Sequence, residues 1–274
     1  MSEKLLVRRV AVLGAGVMGA QIAAQLVNAG IDTVLFDLAG KDAPNAVVDK
    51  AIAKLGKLSP APLASKALAA AIVPANYDTG LPLLESCDLV VEAIAERMDW
   101  KQDLYKRIAP HVAPHAILAS NTSGLGIDAL AGVLPQALRH RFCGVHFFNP
   151  PRYMHLAELV PAKTTEGWVL DELEGFLTTV LGKGVVRAKD TPNFIGNRIG
   201  VFSMLATMHH TTAFGLGFDT ADALTGPAIG RPKSATYRTA DVVGLDTMAH
   251  VIGTMADTLP DDPWHAHFKT PEWL

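Results

Sequence analysis

Cysteine is scarce. The 274 residues hold two, Cys87 and Cys143, neither in a C-x-x-C pair nor at ligand spacing from a histidine. That excludes a disulfide framework and a structural zinc site, and it points to a reducing compartment, the cytoplasm. Positive charge is not in excess either: 24 Lys+Arg against 27 Asp+Glu give a formal net charge of −3. No basic field is available to hold nucleic acid or an anionic membrane. No apolar run reaches the roughly 20 glycine-poor residues that a membrane-spanning helix needs. No H-E-x-x-H or comparable cluster signals metal catalysis, and no internal repeat or low-complexity tract stands out. What the chain does have is 49% hydrophobic residues and a mean hydropathy of +0.23, enough for one large domain or two ordinary ones and incompatible with disorder.

The chain is organised around its first forty residues. An apolar run, Val10-Ala11-Val12-Leu13, enters Gly14-Ala15-Gly16-Val17-Met18-Gly19, and a small-residue helix follows, closed by Gly30. The next strand, Thr33-Val34-Leu35-Phe36, ends in Asp37, 18 positions beyond Gly19. In a G-x-G-x-x-G turn the first glycine permits the tight bend, the second lets backbone N–H groups approach a pyrophosphate, and the third allows helix and strand to pack closely. The phosphates rest on the positive end of the helix. Asp37 can accept from an adenosine ribose and would repel a 2′-phosphate, so the cofactor read from this context is NAD rather than NADP. Arg8-Arg9 before the apolar run imitates a twin-arginine export signal, but the glycine spacing and Asp37 favour a charged cap on a buried strand.

Further along, Pro44 to Ala71 reads as two helices broken at Ser59-Pro60-Ala61-Pro62, with Lys50, Lys54, Lys57 and Lys66 on a solvated face or meeting the phosphates of a bulky substrate. Strand patterns recur at Ile72-Val73, Asp88 to Ile94, Ala116 to Ser120, Phe142 to Val145, Leu156 to Val160 and Gly184 to Arg187, with helices Asp99 to Ala109 and Glu166 to Leu181 among them. Alternating strands and helices predict an α/β fold, a Rossmann-type doubly wound sheet with ligands beyond the carboxyl ends of its strands. Glu96 and Ser123 fall at such ends. From Phe194 the pattern is helical throughout, so a boundary is placed near Lys189-Asp190-Thr191-Pro192, giving an NAD-binding domain over 1–190 and an all-α segment over 191–274. The tail carries Trp264, Phe268 and Trp273 with no later apolar segment to cover them.

A dinucleotide supplies redox chemistry, so a base for a substrate hydroxyl is the remaining need. Ten histidines compete; His146 alone stands at the end of a buried-looking strand, where the switch-point rule puts substrate. Glu158, twelve residues later in an apolar run, is either an edge residue facing water or the carboxylate that fixes the imidazole tautomer.

Taken together, Gly14 to Gly19, Val90-Val91-Glu92-Ala93-Ile94-Ala95-Glu96, Ser120-Asn121-Thr122-Ser123, His146-Phe147-Phe148-Asn149-Pro150 and Asp190-Thr191-Pro192-Asn193-Phe194-Ile195-Gly196-Asn197-Arg198 resemble the L-3-hydroxyacyl-CoA dehydrogenases of fatty-acid β-oxidation. The resemblance runs from near residue 8 to about residue 250. It implies NAD-dependent oxidation of (S)-3-hydroxyacyl-CoA with His146 as base and Glu158 as its partner. It also implies Ser123 and Asn197 around substrate and nicotinamide, and Asp37, Glu96, Lys101, Ser123 and Asn149 on the NAD beside Gly14, Gly16, Val17, Met18 and Gly19. By the same resemblance the helical domain makes a homodimer contact. Pro151-Arg152-Tyr153-Met154-His155 and Gly230-Arg231-Pro232-Lys233-Ser234-Ala235-Thr236 look more like the long fused proteins in which the dehydrogenase precedes an enoyl-CoA hydratase-like module. The expectation is therefore that 191–274 is the first part of a truncated helical domain. The alternatives are a related NAD-dependent dehydrogenase of a sugar acid and a non-catalytic NAD-binding protein of the same fold.

Overall fold

The computed structural model describes residues 6–273, which separate into two compact units divided between Asp190 and Thr191. The expectation for Leu274 lies outside the described residues.

The first unit begins with β1 (Arg9–Leu13), α1 (Val17–Asn28) and β2 (Asp32–Asp37). It continues through α2 (Ala46–Leu55), β3 (Ile72–Asn76), β4 (Leu89–Glu92), α3 (Met98–Ile108) and β5 (Ile117–Ser120). Two short helices, α4 (Ile127–Gly132) and α5 (Gln136–Arg139), precede β6 (Phe142–Phe147), β7 (Leu156–Pro161), α6 (Gly167–Thr179) and β8 (Gly184–Arg187). The strands form one sheet in the order β3-β2-β1-β4-β5-β6-β7-β8. Neighbours from β3 to β6 are parallel. Parallel neighbours require a long crossover, whereas residues 148–155 between β6 and β7 leave no room for one, and that pair is antiparallel. The chain order reverses at β1, which pairs with β2 on one side and β4 on the other, so the crevice beyond these strand ends is where such a sheet takes ligands.

Burial explains the apolar runs. β4, β5 and β6 are buried along their whole length, as strands covered on both faces must be. Val10, Val12, Leu35, Val91, Ile117 and Ala119 share one core with Ile22, Ala23 and Leu26 of α1.

Two details differ from the sequence reading. β4 stops at Glu92 rather than Ile94, because the Ile94 N–H turns back to the Glu92 carboxylate at 2.8 Å and leaves the ladder. The second helix expected before Ala71 is a six-residue 3₁₀ turn, Lys66–Ala71, capped by the Ser65 hydroxyl. Lys50, Lys54, Lys57 and Lys66 are all exposed.

The second unit holds α7 (Gly196–Ala213), α8 (Phe218–Thr225), α9 (Tyr237–Val243) and α10 (Leu245–Thr258). No strand follows β8 among the described residues. The Asp222 carboxylate accepts from the N–H groups of Thr236, Tyr237 and Arg238 at 2.8–3.1 Å, placing negative charge on the positive end of α9. The tail aromatics do find partners, contrary to the sequence reading. Phe268 is buried with Leu205, Met208, Met248 and Ile252, Trp264 packs on Phe202, and Trp273 packs on Phe218 and Tyr237. The chain folds back after α10, so helices earlier in the sequence supply the cover. Among the described residues no helix is long and apolar enough to cross a membrane.

Cys87 and Cys143 are free and buried, and loss of hydration pushes their thiols up to about 11 and about 12. Both should stay unreactive toward a chromogenic thiol reagent at pH 8 in the native protein and titrate together in denaturant. A fast-reacting thiol in the native state would contradict their burial.

Candidate active site

The glycine-rich turn connects β1 to α1. Gly14 has φ +104°, and a Cβ there would lie 2.7 Å from the Ala93 carbonyl oxygen. A Cβ on Gly19 would lie 1.8 Å from the Gly14 oxygen, so the helix can approach the turn only without a side chain. Gly16 is exposed, with nothing within 4 Å of where its Cβ would be, and no side chain caps α1. Val17 is exposed and Met18 half-buried beside it. The first-turn N–H groups of α1 therefore lie beside an exposed glycine with no side-chain cap, an arrangement suited to a pyrophosphate. At the end of β2 the Asp37 carboxylate accepts from Ala15 N–H at 2.6 Å and Leu38 N–H at 2.7 Å. The turn and the acid are thus one hydrogen-bonded assembly, and these residues fit a dinucleotide with free ribose hydroxyls.

His146 and Glu158 stand directly opposite each other in the antiparallel β6–β7 register. His146 Nδ1 lies 2.7 Å from Glu158 Oε2, with His146 4% and Glu158 0% exposed. Because β8 pairs with β7 on its far side, Glu158 is on an interior strand, which removes the edge-residue reading. A carboxylate accepts only, so the imidazole carries its proton on Nδ1. The Phe148 ring lies 4.4 Å from the imidazole, centroid to centroid.

A second buried carboxylate lies at the end of β4. Glu92 accepts from Lys101 Nζ at 2.6 Å, Tyr105 Oη at 2.8 Å, Ser120 Oγ at 2.7 Å and its neighbour Ile94 N–H. Burial first, and the Glu92 charge second, push the Tyr105 phenol well above its ordinary range, keeping it a donor. Lys101 is 0% exposed, and its ammonium also lies 3.7 Å from Glu96. Glu96 in turn accepts from Thr122 Oγ1 at 2.7 Å, Ser123 N–H at 2.6 Å and Ser123 Oγ at 3.1 Å. Asn197 stands in the first turn of α7, in the helical unit.

Three supporting residues escaped the sequence reading. Gln21 Nε2 donates to Val17 O and to Asn149 Oδ1, each at 3.1 Å, so the Asn149 amide turns its Nδ2 donors away from α1. Asn121 Oδ1 accepts from Phe147 N–H at 2.9 Å, next to the histidine. Lys183 donates to the carbonyls of Pro151 and Met154 in the loop between the dyad strands; burial lowers its pKa. The available signal was the same for Gln21 and Glu92: one polar residue inside an apolar run.

A doubly wound sheet with a pyrophosphate cradle, an acid for the ribose and a buried histidine–carboxylate pair defines a nicotinamide-dependent oxidoreductase. The chain belongs to the 3-hydroxyacyl-CoA dehydrogenase family: residues 9–191 match the family model described as 3-hydroxyacyl-CoA dehydrogenase, NAD binding domain, and the cofactor is NAD. A protein named probable 3-hydroxyacyl-CoA dehydrogenase from Deinococcus radiodurans is 42% identical over 258 residues, spanning 93% of this chain and 75% of the relative. A Bacillus subtilis protein of the same name is 39% identical over 284 residues, 98% of this chain but 36% of the relative. The crystal structure of (S)-3-hydroxybutyryl-CoA dehydrogenase from Ralstonia eutropha superimposes with a TM-score of 0.76 at 30% identity, covering 96% of this chain and 90% of that one.

Replacing Gly19 with alanine forces α1 off the turn. The expected result is a stability loss of about 1–3 kcal/mol together with loss of NADH binding, read by thermal melting and fluorescence titration. A variant that binds NADH normally would mean the close approach is not needed.

Proposed function

We propose that this chain carries out NAD-dependent oxidation of (S)-3-hydroxyacyl-CoA to 3-oxoacyl-CoA in fatty-acid β-oxidation, with His146 as general base and Glu158 as the group that orients it. The observation that carries the reading is the buried 2.7 Å contact between His146 Nδ1 and Glu158 at the mouth of the sheet. Bound NAD supplies the acceptor for the C3 hydride. With Nδ1–H directed at Glu158, Nε2 holds the lone pair that takes the 3-hydroxyl proton, and the adjacent carboxylate stabilises the imidazolium so formed. In the reverse direction the imidazolium returns that proton to the carbonyl oxygen.

Around this centre, Gly14, Gly16, Val17, Met18 and Gly19 cradle the pyrophosphate, Asp37 takes the adenosine ribose, and Glu96, Ser123 and Asn149 face the nicotinamide end. Asn197 is assigned to the substrate and nicotinamide by the family resemblance. Lys101, having no exposed surface, is assigned to the support of Glu96 rather than to direct contact. Phe214, Leu224, Ile229 and Val242 leave apolar surface on the helical unit, which supports a homodimer through that unit. The two buried free thiols suit a cytoplasmic protein. Addition of water to an enoyl thioester makes this substrate, so a hydratase-like module is the partner expected.

His146→Gln should lower turnover of acetoacetyl-CoA with NADH by roughly 10²–10⁴-fold while NADH binding stays near wild type, and Glu158→Gln should act the same way. Near-normal turnover in His146→Gln would eliminate it as the base. Turnover of a free hydroxyacid but not of a CoA thioester would instead favour the sugar-acid reading. In a parallel titration NADP should bind at least about tenfold more weakly than NAD, since Asp37 faces the 2′-phosphate. Equal affinity would overturn the role given to Asp37.

A further inference from the structure

Glu92 is as buried as Glu158 and is given no part in the reaction, yet four donors converge on it. Its two oxygens take four donors: Lys101, Ile94 N–H, Tyr105 and Ser120. Ionised and 0% exposed, it can persist only with such a set. A donor set this complete holds the carboxylate in one orientation. The consequence reaches the crevice through Lys101. Its ammonium is 2.6 Å from Glu92 and 3.7 Å from Glu96, so one cation sits between two carboxylates, one sealed and one exposed. Glu96 then accepts from the Ser123 hydroxyl and Ser123 N–H.

A serine hydroxyl has one proton to give. Since Ser123 directs its proton at Glu96, its oxygen meets a ligand as an acceptor. A rotated Glu96 would release that proton and reverse the polarity. The serine's role is therefore set by where Glu96 points, and that depends on the Lys101 ammonium at 3.7 Å together with the Thr122 hydroxyl and the Ser123 N–H, which donate to it at 2.7 and 2.6 Å.

We propose that Glu92 is a positioning residue for the nicotinamide end of the site: by anchoring Lys101 it fixes the Glu96 carboxylate, which orients Ser123 as an acceptor. Tyr105 and Ser120 complete the anchor. The inference rests on the cofactor and substrate reading given above.

Fluorescence titration of NADH against four proteins tests it: wild type, Glu92→Gln, Ser123→Ala and the double variant. Glu92→Gln puts an amide N–H where Lys101 or Tyr105 donates, so the anchor breaks. It should weaken NADH by about tenfold, and Ser123→Ala alone should weaken it about fivefold. Adding Ser123→Ala to Glu92→Gln should cost less than about a further twofold, because the serine is already misdirected. A purely structural role predicts losses that multiply. Multiplying losses, or NADH binding by Glu92→Gln within about twofold of wild type, would overturn the proposal. If Glu92→Gln does not fold, Tyr105→Phe serves in the same cycle. It keeps the ring and removes one donor, with a loss of about threefold expected and the same lack of multiplication. A wild type that binds NADH but does not reduce acetoacetyl-CoA refutes the proposed function and leaves this cycle readable.

Discussion

An ionised carboxylate cannot remain inside a sheet unless hydrogen-bond donors replace the water it has lost. Two strand ends of this protein are built around that constraint. Glu158 meets it with the His146 imidazole across an antiparallel pair. Glu92 meets it with an ammonium, a phenol, a hydroxyl and a backbone N–H. Both acids stand where the strands open toward the crevice, so the donors that make burial tolerable are also the groups the chemistry needs, or those that hold such groups in place.

The sheet topology brings this about with little extra structure. Parallel strands from β3 to β6 carry their carboxyl ends to one side, where the glycine-rich turn, Asp37, Glu96, Ser123 and His146 follow the strands or stand at their ends. The reversal at β7 then returns the chain so that Glu158 lies directly opposite His146. Lys183 holds the returning loop by its carbonyls. Gln21 ties α1 to Asn149, joining the cradle side of the crevice to the dyad side through a single amide.

The helical unit is organised differently. Its core is a small cluster around Met208, Met248, Ile252 and Met255, closed by Phe268 from the tail. Several of its large apolar side chains, Phe214 and Val242 among them, remain exposed.

Much of this was legible along the chain because its causes are local. Gly14 and Gly19 announce a turn whose backbone only glycine tolerates there, and Asp37 follows at the distance one helix and one strand require. Apolar runs of strand length alternate with helices, and that alternation alone implies a parallel sheet. Only tertiary structure decided the rest. Whether Glu158 faced water or the imidazole depended on the antiparallel register that sets it opposite His146 and on β8 making β7 an interior strand. The end of β4 depended on the Glu92 carboxylate claiming the Ile94 N–H. Lys101 lies in a helix of mostly polar residues, and its burial comes with the ion pair to Glu92, a residue at the end of β4. Phe268 lacked any neighbour in sequence, and earlier helices provided one. The division follows from range: backbone conformation is dictated by adjacent residues, whereas the partner of a buried charge or ring comes from a distant strand or helix, and no local pattern encodes it.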